Sequence, residues 1–105
     1  MPDYENDDNV IVKDKQETKK APPPKQYKVL LHNDNYTTME FVIQVLETVF
    51  HKNVQDATKI MLDVHKRGVG VGGIYSKEVA ETKSHKVMVL ATQEEMPFKS
   101  TIEPE

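Results

Sequence analysis

Asn33, Asp34 and Asn35 stand in a row just ahead of a segment with helical periodicity. Met39 with Val42 or Ile43 lies one turn apart on that segment, and Met61, Val64 and His65 recur at three and four on a later one. If the two segments pack as neighbouring helices, these residues enclose a short apolar pocket rimmed by Asn33, Asp34 and His65. Such a pocket suits a ligand with an amino group beside a large hydrophobic group. An α-ammonium is largely protonated at neutral pH and needs acceptors. Asn33 offers a carbonyl, Asp34 a carboxylate and a neutral His65 a ring nitrogen. Methionine walls mould to aromatic or branched guests. The same residues also fit a plainer account, with Met39 and Met61 in the core, the Asn-Asp-Asn run as turn chemistry, and His65 as a helix-terminal cation. Spacing alone leaves both accounts open.

Other constellations point away from catalysis. Gly68-Val69-Gly70-Val71-Gly72-Gly73 fits G-x-G-x-x-G letter for letter. A dinucleotide site needs a strand before that run and a helix directly after it. Here a helix precedes the run and a strand contains it. Its first glycine is expected to end a helix and the others to admit a close backbone. His32, His51, His65 and His85 lack metal-ligand spacing, and cysteine is absent, which excludes disulfides, thiolate metal sites and a cysteine nucleophile. Ser76, Ser84 and Ser100 have no nucleophile-elbow context, and no carboxylate pair stands out. Neither an enzyme nor a cofactor is expected.

The elements that position these residues can be read from pattern. The 105 residues suffice for one small domain. Residues 1–26 run from acidic (Asp3, Glu5, Asp7, Asp8) to basic (Lys13, Lys15, Lys19, Lys20, Lys25), with Pro22-Pro23-Pro24 near the end. They are expected to form a flexible extension. From Tyr27 the pattern is regular. Tyr27–His32 is expected as a strand with Tyr27, Val29 and Leu31 on one face. Thr37 and Glu40 match a capping box for a helix to about Phe50. A second helix starts at Asn53, carries Val54, Ala57, Met61 and Val64 as its stripe, and stops at Gly68. The glycine-rich run makes a strand. Ser76 caps a third helix to about Thr92, with Val79, Lys83, Val87, Leu90 and Ala91 in register. Residues 98–102 make a short last strand after Pro97. The expected fold is α+β and two-layered, a three-stranded antiparallel sheet with three helices on one face in the order β-α-α-β-α-β, over residues 27–105.

The net charge of −3 and pI near 5.8 argue against a nucleic-acid surface. The chain start has neither a basic n-region nor an apolar h-region, and no stretch approaches a membrane span. A cytosolic location is expected.

Three stretches resemble one family. Residues 27–42, Tyr-Lys-Val-Leu-Leu-His-Asn-Asp-Asn-Tyr-Thr-Thr-Met-Glu-Phe-Val, closely resemble the opening of ClpS, the bacterial Clp protease adaptor. Residues 60–65, Ile-Met-Leu-Asp-Val-His, resemble its second-helix motif, and residues 75–83 its third-helix entry. The resemblance implies an adaptor that binds N-degrons, proteins beginning with Leu, Phe, Tyr or Trp, and delivers them to the N-terminal domain of the AAA+ unfoldase ClpA or ClpC. It implies that Asn33, Asp34, Asn35, Thr37 and His65 hold the amine and first peptide unit. Met39, Val42, Met61, Val64 and Phe98 would line the side-chain pocket, with Met39 as a gatekeeper against β-branched residues. Glu78 and Lys83 would face the unfoldase, and residues 1–26 would engage its pore. Asn35 replaces a second Asp usual in the family, Thr38 a Pro, and Phe98 a Leu. The first change removes a carboxylate from the implied amine site, and the last is expected to narrow the pocket. The alternative is a structural interaction module with no interest in free N-termini, an architecture shared by analogy with the ribosomal stalk C-terminal domain.

Overall fold

The computed structural model describes residues 23–105. The elements are β1 (Gln26–His32), α1 (Met39–Thr48), α2 (Val54–Arg67), β2 (Val69–Ser76), α3 (Lys77–Gln93) and β3 (Lys99–Pro104). The sheet order is β2-β1-β3, and β1 is antiparallel to both neighbours. The expected α+β order of elements is what forms. Most of the expected extension, residues 1–22, lies outside the described residues. Gln26 already pairs with Ser76, so β1 begins one residue before the expected strand.

Alternation along β1 sets the core. Val29 and Leu31 are fully buried and Tyr27 is half-buried, all on one face. The helices cover that face. Phe41, Val42, Val45 and Leu46 of α1, Ala57, Met61 and Val64 of α2, and Ala80, Val87 and Ala91 of α3 complete the cluster, closed at one end by Phe98. Phe98 meets Phe41 edge-to-face, with ring centroids 6.0 Å apart at 87°, a favoured aromatic geometry. Two expected stripe residues fall elsewhere. Val54 in the first turn of α2 is exposed, and so is Val79, because Ala80 takes the inward position on α3.

Helix ends follow local polar chemistry. Asn53 caps α2 by accepting from the Asp56 N–H at 2.8 Å, and Ser76 caps α3. The cap of α1 is Thr38, not Thr37: its hydroxyl oxygen accepts from the Phe41 N–H at 3.1 Å. Thr37 is diverted because its own hydroxyl and amide are bonded to Asp34. The helix therefore starts at Met39, and it ends at Thr48 rather than Phe50.

The glycine-rich strand is explained by packing, with no phosphate cradle. Gly68 has φ +89°, a left-handed conformation that ends α2. A Cβ on Gly70 would lie 2.7 Å from Val64 Cγ2 and 3.2 Å from the Ile60 carbonyl oxygen. The missing side chain is what lets α2 lie on β2. Gly70→Ala should therefore lower unfolding free energy by about 1–3 kcal/mol, read as a reduced urea midpoint. An unchanged midpoint would mean that helix and strand are not in this close contact.

Candidate functional site

The site forms where β1 meets the end of α2. The left-handed turn at Gly68 aims its carbonyl back at β1, where it accepts the Asn33 N–H at 3.0 Å. That bond holds Asn33 beside the last turn of α2, which carries His65.

The chain must then turn sharply to enter α1, and Asp34 makes the turn. One carboxylate oxygen accepts from the Tyr36 and Thr37 amides at 2.8 and 2.7 Å, and the other accepts from the Thr37 hydroxyl at 2.6 Å. Burial pushes the Asp34 carboxyl up, but these three bonds outweigh it and hold its pKa below the ordinary 3.8. Because the Thr37 hydrogen is committed to Asp34, its oxygen can face any further partner only as an acceptor.

Beyond this turn, α1 and α2 pack together. Asn33, Thr37, Met39, Val42, Met61, Val64 and His65 line one cavity between them. Its enclosed volume is about 20 Å³, room for a single water. Val42, Met61 and Val64 form a buried apolar wall, whereas Met39 at the start of α1 is 45% exposed. Asn33, Thr37 and His65 supply the polar side. Between them they present a carbonyl oxygen, a hydroxyl oxygen and an imidazole nitrogen, with no fixed positive charge.

Three residues from the sequence-based set lie outside the cavity lining. Asp34 turns its oxygens to the loop and reaches the cavity only through Thr37. Asn35 is exposed in the same loop. Phe98 is 2% exposed and packs behind α1 against Phe41, whose neighbour in the chain is the wall residue Val42. The link from Asp34 to Thr37 was not anticipated. The signal for it was an Asp in a non-helical stretch, which commonly accepts from the amide two residues on, here Tyr36, and so sets its carboxylate beside Thr37.

Glu78 and Lys83 lie apart from this cavity, near the start of α3. Glu78 is exposed in the first turn. The Lys83 ammonium donates to the Val49 carbonyl at 2.7 Å and sits 5.3 Å from the Tyr75 ring centroid. Burial raises the pKa of that tyrosine. Lys83 is thus a strut between α3 and the end of α1, a role its spacing did not reveal.

A larger depression of about 430 Å³ runs between α1 and α3, lined by Gln44, Thr48, Val49, Lys86, Val89, Leu90 and Gln93. Its one formal charge is the Lys86 cation. A cationic amine is favoured in the smaller cavity and disfavoured in the larger one.

Since the folded pKa of Asp34 is depressed, its contribution to stability is present above the ordinary carboxylate range and is lost as pH falls through the folded value. The stability difference between the parent and Asp34→Asn should be largest at neutral pH and shrink toward pH ~3. Equilibrium unfolding at both pH values reads this directly. A difference independent of pH would mean that the ionised carboxylate does not hold the turn.

The chain matches the family model described as ATP-dependent Clp protease adaptor protein ClpS over residues 22–101. It is 57% identical over 88 residues to the ATP-dependent Clp protease adapter protein ClpS of Desulfatibacillum aliphaticivorans, covering 84% of this chain and 85% of that one. It is 52% identical over 102 residues to the protein of the same name from Myxococcus xanthus, covering 97% and 94%. Agrobacterium tumefaciens ClpS2, solved bound to L-phenylalaninamide, superposes with a TM-score of 0.76 at 37% identity, covering 79% of this chain and all of that one. With the three sequence motifs, the sheet order and the family match in agreement, the chain belongs to the ClpS family of Clp protease adaptors.

Proposed function

We propose that this adaptor captures client proteins by a free N-terminal residue with a large hydrophobic side chain and delivers them to a Clp unfoldase. The observation that carries the reading is the composition of the α1–α2 cavity, acceptors on one side and an apolar wall on the other. An α-ammonium needs acceptors only, and the side chain on the same carbon needs an apolar slot within a few ångströms. The Agrobacterium relative holds a ligand of that description, an amino-acid amide with a phenyl side chain.

Asn33, Thr37 and His65 bind the ammonium and first peptide unit. Asp34 acts through Thr37, because a carboxylate accepting the hydroxyl hydrogen enriches the oxygen that meets the ammonium. Asn35 in the same loop adds a carbonyl where a further carboxylate would add charge. Met39, Val42, Met61 and Val64 receive the side chain. With room for only one water in the unliganded cavity, Met39 must swing aside, which its unbranched thioether allows. Phe98 shapes the slot from behind by fixing Phe41.

The hand-off surface is the start of α3, with Glu78 exposed in the first turn and Lys83 braced against Val49 and Tyr75. The N-terminal domain of ClpA or ClpC is the partner for it. Residues 1–26 serve as the arm that enters the unfoldase pore. Neither a cofactor nor a membrane is needed for capture and delivery.

Fluorescence anisotropy with short peptides tests the reading. Peptides beginning with Phe or Leu should bind, acetyl-Phe should not, and Ile should bind weakly. His65→Ala should weaken Phe-peptide binding by about 1–3 kcal/mol, the usual cost of an unmet polar group. Equal affinity for the free and acetylated peptides would overturn the amine site.

A further inference from the structure

We propose that Met39 is a site of reversible oxidation, at which a hydroperoxide converts the thioether to a sulfoxide and closes the cavity to hydrophobic N-terminal residues. The inference rests on the binding reading above and adds a control that acts on the same cavity.

The chain has no cysteine, so its methionines are the sulfur available to a peroxide. Among the described methionines, Met61 is 7% exposed and shielded in the core. Met96 is half-buried against the core. Met88 is 37% exposed, but its sulfur accepts a hydrogen bond from the Ser100 N–H at 3.3 Å, which engages a lone pair. Met39 is 45% exposed, the most open of the four. It is also the only one of these exposed methionines that lines the α1–α2 cavity.

In the reaction, a lone pair of the Met39 sulfur attacks the outer oxygen of the hydroperoxide. The S–O bond forms as the O–O bond breaks, and the departing oxygen leaves as water or an alcohol after taking up a proton. Sulfur gives up two electrons and the peroxide gains two. Reduction by a dithiol through a methionine sulfoxide reductase returns the thioether, with water as product and the dithiol left as a disulfide.

The effect follows from position. A sulfoxide oxygen at the mouth of the wall made by Val42, Met61 and Val64 is a strong acceptor that holds water. An aromatic or aliphatic side chain entering the slot would strip that water and offer no donor in return. Oxidation elsewhere, at Met88 on α3 beside β3, leaves the slot unchanged. A client already bound covers Met39 and protects it.

The test treats the full chain with graded hydrogen peroxide, with and without a saturating Phe-starting peptide. Oxygen uptake at each methionine is followed by peptide mass, and binding by anisotropy. Met39 should gain one oxygen first and more slowly when peptide is bound. Affinity should fall roughly tenfold or more in step with that gain, and a methionine sulfoxide reductase with dithiol should restore it. Met39→Leu should keep through the treatment whatever affinity it starts with. First uptake at Met88 or Met96 with Met39 unmodified, loss of affinity in treated Met39→Leu equal to that of the parent, or full affinity after Met39 is oxidised would each overturn the switch. Binding that is absent before any peroxide is added would overturn the N-terminal-residue reading itself, and the switch with it.

Discussion

The Asp34 carboxylate takes up three hydrogen bonds within four residues of chain, and the entry to α1 is built on them. Without it, the amides of Tyr36 and Thr37 would need water or another acceptor, and the chain between β1 and α1 would have no reason to reverse where it does. By holding Thr37 out of the helix, Asp34 passes the capping role to Thr38 and makes Met39 the first helical residue. That places the Met39 side chain over the turn that precedes it, since helical side chains lean toward the N-terminus. At the other end of the loop, the bond from the Asn33 amide to Gly68 fixes where the loop begins relative to α2. One short loop, clamped at one end by a backbone bond and at the other by the Asp34 carboxylate, thus decides what the two helices share.

Much of this was legible in the sequence because it depends on period and composition. The alternation Tyr27, Val29, Leu31 gave the core face of β1, and the three-and-four recurrence of Met61, Val64 and His65 placed two wall residues and a ring nitrogen on one side of α2. What was not legible depends on competition between near-equal choices. Thr37 and Thr38 are both good caps, and the choice between them turns on Asp34, which lies outside the helix and outside the capping-box pattern. Val79 and Ala80 are adjacent on α3, and hydrophobicity favours Val79, but the helix turns Ala80 into the core and leaves Val79 exposed. Phe98 was legible as part of the apolar set but not as a residue behind the wall, because its partner Phe41 lies across the core and no local spacing reports that contact.

The core and the cavity make opposite demands on the same helices. The core is closed by the Phe41–Phe98 pair and by fully buried Val45, Leu46 and Val87. A cavity for an apolar guest has to remain underfilled, which costs packing. The chain limits that cost by leaving the space small and covering it with a flexible residue. The glycines of β2 serve the same arrangement from below: the bare Gly70 lets α2 sit against the sheet, so that Val64 reaches the cavity from a helix held at fixed height.

Electrostatics then separates the α1–α3 groove from the α1–α2 cavity. Size alone favours the α1–α3 groove, which is large enough for an ordinary ligand. An ammonium entering there would meet Lys86 and find only neutral amides and a hydroxyl to offset it. In the α1–α2 cavity it would meet acceptors that carry no positive charge, one of them backed by an ionised carboxylate. Placing that carboxylate one bond away rather than in the cavity has a consequence for selectivity. A bare carboxylate would attract any cation, including a lysine side chain or a metal ion. A hydroxyl oxygen polarised from behind rewards a donor held at hydrogen-bond distance in one direction. On the function proposed above, the α-amine of a chain whose first side chain is already seated in the apolar slot meets that requirement, and an amine without such a side chain does not.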